Sequence, residues 1–198
     1  MIKTKAYAMD RIYIQDKKFE KEDLVIKELA IADYENCVFT NCDLSNTDLS
    51  QRVFLECAFN SCNLSTATIT KTGLKIVKFK DCKLLGLHVE NCDPFLFEVD
   101  FDNCLLSLAS FYKLKLKQTR FKNSNLSEVD FTEADLTSSL FDNCDLAGAR
   151  FERTILEKAD LRTSRNYSID PELNKIKKAR FSYPGVLGLL SKYDIEID

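Results

Sequence analysis

From Tyr34 onward an apolar residue falls on every fifth position: Tyr34, Phe39, Leu44, Leu49, Phe54, Phe59, Leu64, Ile69, Leu74, Phe79, Leu84 and Val89. Five is neither the helical period of 3.6 nor the strand period of 2, so the spacing demands a repeat architecture. Two residues before most of these positions stands something small: Cys37, Cys42, Thr47, Cys57, Cys62. The beat is anticipated at Leu24 and Leu29. It slips after Val89, resumes at Leu96, Phe101, Leu106 and Phe111, and holds to Leu161. Two residues are therefore inserted within about Asn91–Glu98, around Pro94.

A longer period lies in the residue types. Phe39, Phe59 and Phe79 recur at twenty, and Phe101, Phe121 and Phe141 continue the series after the insertion. Leu44, Leu64, Leu84, Leu106, Leu126 and Leu146 do the same one step later. Four pentads then make one turn, and like residues stack on like. The expected object is an all-β square solenoid of about seven coils with Leu and Phe inward, roughly 34 Å long at ~4.8 Å per coil. Residues 1–23 read as an N-terminal cap, since a stack needs a polar end. Residues 24–161 read as the β-helix. Residues 162–198 read as a loop turning at Asp170–Pro171, a last coil segment at Ala179–Phe181 and a C-terminal α-helix. That helix has Ser182 as N-cap, Pro184 in its first turn and an apolar stripe of Tyr183, Val186, Leu187 and Leu190.

The spacing also settles the cysteines. Cys42, Cys62, Cys82, Cys104 and Cys144 share one column and Cys37 and Cys57 begin another, all in the small inward slot. A C-x4-C spacing with one histidine in the chain is not a zinc pattern, so no metal is expected. Free buried thiols acting as small hydrophobes are expected instead. Arg52 breaks the pattern by occupying such a slot. A buried unpaired charge is very costly, so the backbone is expected to open there toward solvent or a neighbouring acid.

Function classes are mostly excluded. No metalloprotease, phosphate-loop, nucleophile-elbow or dinucleotide pattern occurs, and His88 stands at an outward slot. Asp43, Asp48, Asp130, Asp135, Asp145 and Asp160 recur as the polar slot of the pentad, which explains them as solvated faces. No catalytic residue, cofactor or small-molecule substrate is expected. A net charge of -3 gives no reason for direct nucleic-acid binding. The first residues carry charges throughout, with no apolar leader core, and no apolar run approaches a membrane span, so the expected location is cytoplasmic.

The strings NCDLS-NTDLS, SEVDFTEADL and NCDLAGARF resemble the pentapeptide-repeat family over about residues 24–161. The resemblance implies a right-handed quadrilateral parallel β-helix. The ending FSYPGVLGLL followed by YDIEI is similar to the C-terminal dimerisation module of the Qnr/MfpA group. That group implies a homodimer that binds a type II topoisomerase (DNA gyrase or topoisomerase IV), imitates duplex DNA and protects against fluoroquinolones. The alternative is a structural or interaction scaffold with another protein partner.

Two surfaces are candidates. Val53, Leu55, Ile76, Phe95 and Phe97 fall on outward slots of one face, either as a docking site or covered by the N-terminal segment or the 163–178 loop. Glu128, Asp130, Glu133 and Asp135 form an acidic ring where partial DNA mimicry would lie, although basic bands at Lys71–Lys83 and Lys113–Lys122 interrupt the rod. Leu187, Leu190, Ile195 and Ile197 form the expected dimer interface, unless the helix only caps the open end.

Overall fold

The computed structural model describes residues 11–21, 29–193 and 195–196. Leu24, at the head of the anticipated beat, lies outside them. The chain winds as a parallel β-solenoid. One wall is a seven-stranded parallel sheet of Lys18–Glu20, Val38–Thr40, Ala58–Asn60, Val77–Lys80, Val99–Asp102, Arg120–Lys122 and Leu140–Asp142. The next wall holds a four-stranded parallel sheet of Ile12–Gln15, Ala32–Glu35, Val53–Leu55 and Gly73–Lys75. Elsewhere the coils meet through isolated parallel bridges such as Asp43 to Asn63 and Ser110 to Asp130. Ile12–Gln15 and Lys18–Glu20 pair with Ala32–Glu35 and Val38–Thr40 in the register used throughout, so this part of the N-terminal segment is itself a layer of the stack.

The register carries Phe39 onto Phe59, Phe79, Phe101, Phe121 and Phe141. Rings stack down this column at 4.6 Å for Phe39–Phe59, 5.1 Å for Phe59–Phe79 and 5.3 Å for Phe79–Phe101. The neighbouring column meets it edge to face, as in Phe121–Phe131 at 5.8 Å and 78°. Offset and T-shaped pairs are the arrangements an aromatic quadrupole favours. The core is thus one continuous rod of Leu, Phe and small residues, all buried.

Corners are made by left-handed residues. The position two beyond most inward residues has φ near +55°, as at Asn36, Asn41, Asn46, Glu56 and Asn103. Asn tolerates this region; the β-branched Ile76, at +58°, does so less readily. The repeated Asp and Asn stabilise the turns. Asp48 accepts the amide of Ser50 at 2.8 Å, Asp130 that of Thr132 at 2.8 Å, and Asn125 that of Ser127 at 2.9 Å. These are Asx turns, a positional reason for the polar slot beyond solvation.

The small inward residues do more than fill space. Thr72 donates to the carbonyl of Leu49 at 2.8 Å, Ser139 to Leu116 at 2.7 Å and Thr154 to Phe131 at 2.8 Å. The thiols make the same contact more weakly, Cys57 to Tyr34 at 3.5 Å and Cys144 to Phe121 at 3.4 Å. Each donor reaches the carbonyl of the inward residue one coil earlier, a buried acceptor that would otherwise lack this bond. Arg52 joins the same series. It is 8% exposed, and its guanidinium donates to the carbonyls of Leu29 and Ser50. The backbone does not open to let it reach solvent, and among the described residues no carboxylate pairs with it: carbonyl oxygens stabilise the charge.

The insertion sits where the beat slips, with one inversion. Leu96, expected inward, is 65% exposed at φ +57°, whereas Phe97, expected outward, packs against the core. A turn closed by the Phe97 amide on the carbonyl of Pro94 reverses the parity of the next two side chains. A 3-10 turn, Val89–Asn91, precedes it.

The C-terminal helix is also different in kind. Pro184–Leu189 and Ser191–Tyr193 are 3-10 helices rather than an α-helix. Gly185 and Gly188 lie against Tyr167, where a Cβ would come within 2.0 Å of its hydroxyl and 2.2 Å of its carbonyl oxygen. That close approach fixes the path of the backbone, and short 3-10 segments follow it. The Ser182 hydroxyl accepts the Gly185 amide at 3.1 Å, as an N-capping side chain does.

Candidate interaction surface

With the inward slots filled by buried, mostly apolar or small side chains, whatever the rod recognises must touch its outward columns. On the wall of the four-stranded sheet, Val53 and Leu55 are half-buried, and Val53 also packs beside Gly73. Ile76 at the corner and Phe95 in the inserted turn are exposed, Phe95 to 63%. Lys75 places its ammonium 5.0 Å from the centre of the Phe95 ring, a cation–π distance. Leu96 adds to this group, and Phe97 leaves it for the core. The patch is therefore Ile76, Phe95 and Leu96, flanked by Val53 and Leu55. Sequence spacing misses Leu96 because periodicity cannot say how a two-residue insertion is absorbed. Leu85, Leu105 and Leu108 make a second exposed group on another wall.

The acidic ring is compensated. Glu133 lies 2.9 Å from Arg153 and 3.5 Å from Lys113. The Arg153 guanidinium, with Lys113, holds the Glu133 carboxyl below its ordinary range. Asp135 pairs with Lys117 at 3.3 Å and Asp130 with Arg150 at 3.9 Å. On the seven-stranded wall signs alternate down the columns, as Lys78, Asp100 and Arg120 or Lys80, Asp102 and Lys122. Arg120 grips Asp100 through Nε at 3.0 Å and Nη2 at 2.6 Å. The Lys113–Lys122 band is thus tied by ion pairs to the acidic ring and to Asp100. Of the four acidic candidates, Glu128 alone makes no ion pair among the described residues.

At the C-terminal end Leu187 is 51% exposed, Ile195 is exposed and Leu190 is half-buried, while Ile197 lies outside the described residues. Leu189 and Phe181 face the core.

His88 is exposed with Nδ1 3.0 Å from Glu90. Among the described residues no three His, Cys, Asp or Glu side chains come together as a metal site. No helix among them is long and apolar enough to cross a membrane. The eight cysteines are thiols rather than disulfides, and all are buried. Burial pushes the Cys57 thiol up to about 12 and that of Cys144 to about 11.

The sequence model of the pentapeptide repeat region matches residues 32–94 and 95–166. The fold is similar to that of full-length QnrB1, a plasmid-mediated fluoroquinolone resistance protein, with 17% identity and a TM-score of 0.59 over 93% of this chain and 98% of that one. HetL, a pentapeptide repeat protein involved in heterocyst differentiation regulation in the cyanobacterium Nostoc, matches at 15% identity and a TM-score of 0.34, over 89% of this chain and 91% of its own. No curated protein sequence matches the chain.

Proposed function

The chain belongs to the pentapeptide-repeat family, and from that premise we propose that it is a non-enzymatic binding protein of the cytoplasm that docks on a protein partner through its outer wall. The observation that carries the reading is the projecting apolar group of Ile76, Phe95 and Leu96 on a wall whose other outward residues are mostly polar. Aromatic anchors of this kind are where binding energy concentrates. The partner class proposed first is a type II topoisomerase, on two supports: the QnrB1-like fold along nearly the whole chain and the FSYPGVLGLL ending. The chain acts as a homodimer joined at the C-terminal end through Leu187, Leu190 and Ile195.

One observation favours the second reading, a scaffold for a different protein. Duplex DNA carries about one negative charge per 1.7 Å. Here Asp130, Glu133 and Asp135 are each paired with Lys or Arg, so a duplex-like anionic surface has little support. A gyrase supercoiling assay, with and without a fluoroquinolone, separates the readings. Inhibition or drug rescue that disappears in Phe95→Ala/Leu96→Ala supports the topoisomerase; no effect at high micromolar protein leaves the scaffold.

A further inference from the structure

The segment Pro184–Tyr193 is attached differently from the coils before it. Coils are joined by in-register bridges and a shared apolar core. Pro184–Tyr193 contains no buried residue and is held mainly by polar contacts at its far end. Lys192 reaches Asp170 at 2.8 Å and Glu172 at 2.7 Å, the Tyr193 hydroxyl donates to Glu172 at 3.1 Å, and Ser191 meets Ser168 at 2.5 Å. One backbone bond ties it to the solenoid, from the Ile169 amide to the Gly188 carbonyl at 2.9 Å. Leu189 is its apolar anchor on the core.

The seat of this segment is strained in polar terms. Tyr167 is 5% exposed, and its hydroxyl is buried against Gly185 without a hydrogen-bond partner among the described residues. Leaving such a group unmet is unfavourable, whereas lifting the segment returns it to water. The closed arrangement therefore combines an orphaned hydroxyl beneath the segment with exposed ion pairs at its tip.

We propose that Pro184–Tyr193 is a detachable strap, latched by Lys192 on Asp170 and Glu172, that opens over Tyr167 while the solenoid stays folded. Opening bares Tyr167, Phe181 and the flank of the last coil, giving the rod two terminal surfaces in place of one. Because the latch is made of exposed charges, salt shifts the balance toward the open form. Regions with few buried contacts and exposed hydrogen bonds are those that open below the global unfolding limit.

The Ile169 amide reports the strap directly, because its acceptor is the strap's own Gly188. The Leu136 amide, bonded to Ile155 at 2.7 Å, reports the solenoid. Amide hydrogen exchange by NMR on the full chain should find Ile169 exchanging well ahead of Leu136 at low salt. It should become about tenfold faster again in 0.5 M salt or in Lys192→Gln, since two exposed pairs are worth about that much. Gly188→Ala should strip Ile169 of protection and leave Leu136 protected; if that variant does not fold, Lys192→Gln reads the same amide. Equal protection at Ile169 and Leu136 overturns the proposal, as does an Ile169 rate indifferent to both salt and Lys192→Gln.

Discussion

The guanidinium of Arg52 donates from Nε to the carbonyl oxygen of Leu29 at 3.0 Å, the bond that Thr72 makes to Leu49 one coil later. A residue that looks like a defect in the pattern thus performs the task its slot requires. Its length lets a second nitrogen reach Ser50 as well. Arg52→Ala removes the donor and leaves a cavity, so it should destabilise by about 1–3 kcal/mol, the usual consequence of an unmet buried acceptor. Arg52→Thr should recover most of that loss. Denaturant melts decide it, and equal stability for wild type and Arg52→Ala would refute the role.

Phe79 is stacked between Phe59 and Phe101 in the longest aromatic column. Phe79→Ala should cost about 3–5 kcal/mol, as large-to-small core changes do. Its outward neighbour Lys80 gives the control: Lys80→Ala should stay within about 0.5 kcal/mol. Similar losses at both positions would contradict the inward–outward assignment.

The eight thiols should be nearly silent in the native protein. Burial raises those of Cys57 and Cys144 to about 12 and about 11, and although the Cys82 side chain draws the Cys104 thiol below its ordinary value, all eight are buried away from a reagent. A thiol reagent at pH 8 should titrate eight groups after denaturation and react with the folded chain only at its unfolding rate. A fast native fraction would show that a column is open.

Acid should loosen the corners. Hydrogen bonds from Ser45 and Ser50 hold the carboxyls of Asp43 and Asp48 below their ordinary range, the Asn166 amide does so for Asp145, and the Arg162 guanidinium for Asp160. A carboxyl depressed by folding contributes stability that is present above its unfolded pKa of about 3.9 and lost as pH falls through the folded value. The melting temperature should be flat from about pH 7 to 5 and fall below about pH 4. Asp48→Asn keeps the acceptor, as Asn63 and Asn125 do in the same role, and should reduce the acid slope. An unchanged slope would remove the Asx turns from the acid response.

Much of the solenoid is legible because one side chain in five has no alternative place. Phe59 cannot face water without exposing a whole column, and each copy of the repeat restates the constraint. The insertion between Val89 and Phe101 is legible in position and not in shape, since two extra residues can reverse the parity of Leu96 and Phe97 or preserve it. The hydrogen-bonding role of Cys57, Thr72 and Ser139 is hidden because all three also pass as merely small. The end of the chain defeats periodicity for another reason. A stripe of Val186, Leu187 and Leu190 reads as an α-helix, but the contact that decides its geometry is with Tyr167, which no local pattern connects to Gly185 and Gly188. The ion-pair ladders were equally out of sight, because Glu133 and Arg153 become neighbours only after the twenty-residue period is converted into height.

The parallel register that carries Phe59 onto Phe79 also carries Ala58 onto Lys78 and Asn60 onto Lys80 on the outside. Anything resting on the rod therefore touches residues a full winding apart, at ~4.8 Å intervals, and seldom more than three in a row along the chain. A linear peptide cut from this sequence cannot reproduce any stretch of its wall. Antibodies raised against such fragments should fail on the folded protein, and those raised against the folded protein should fail on a denaturing blot.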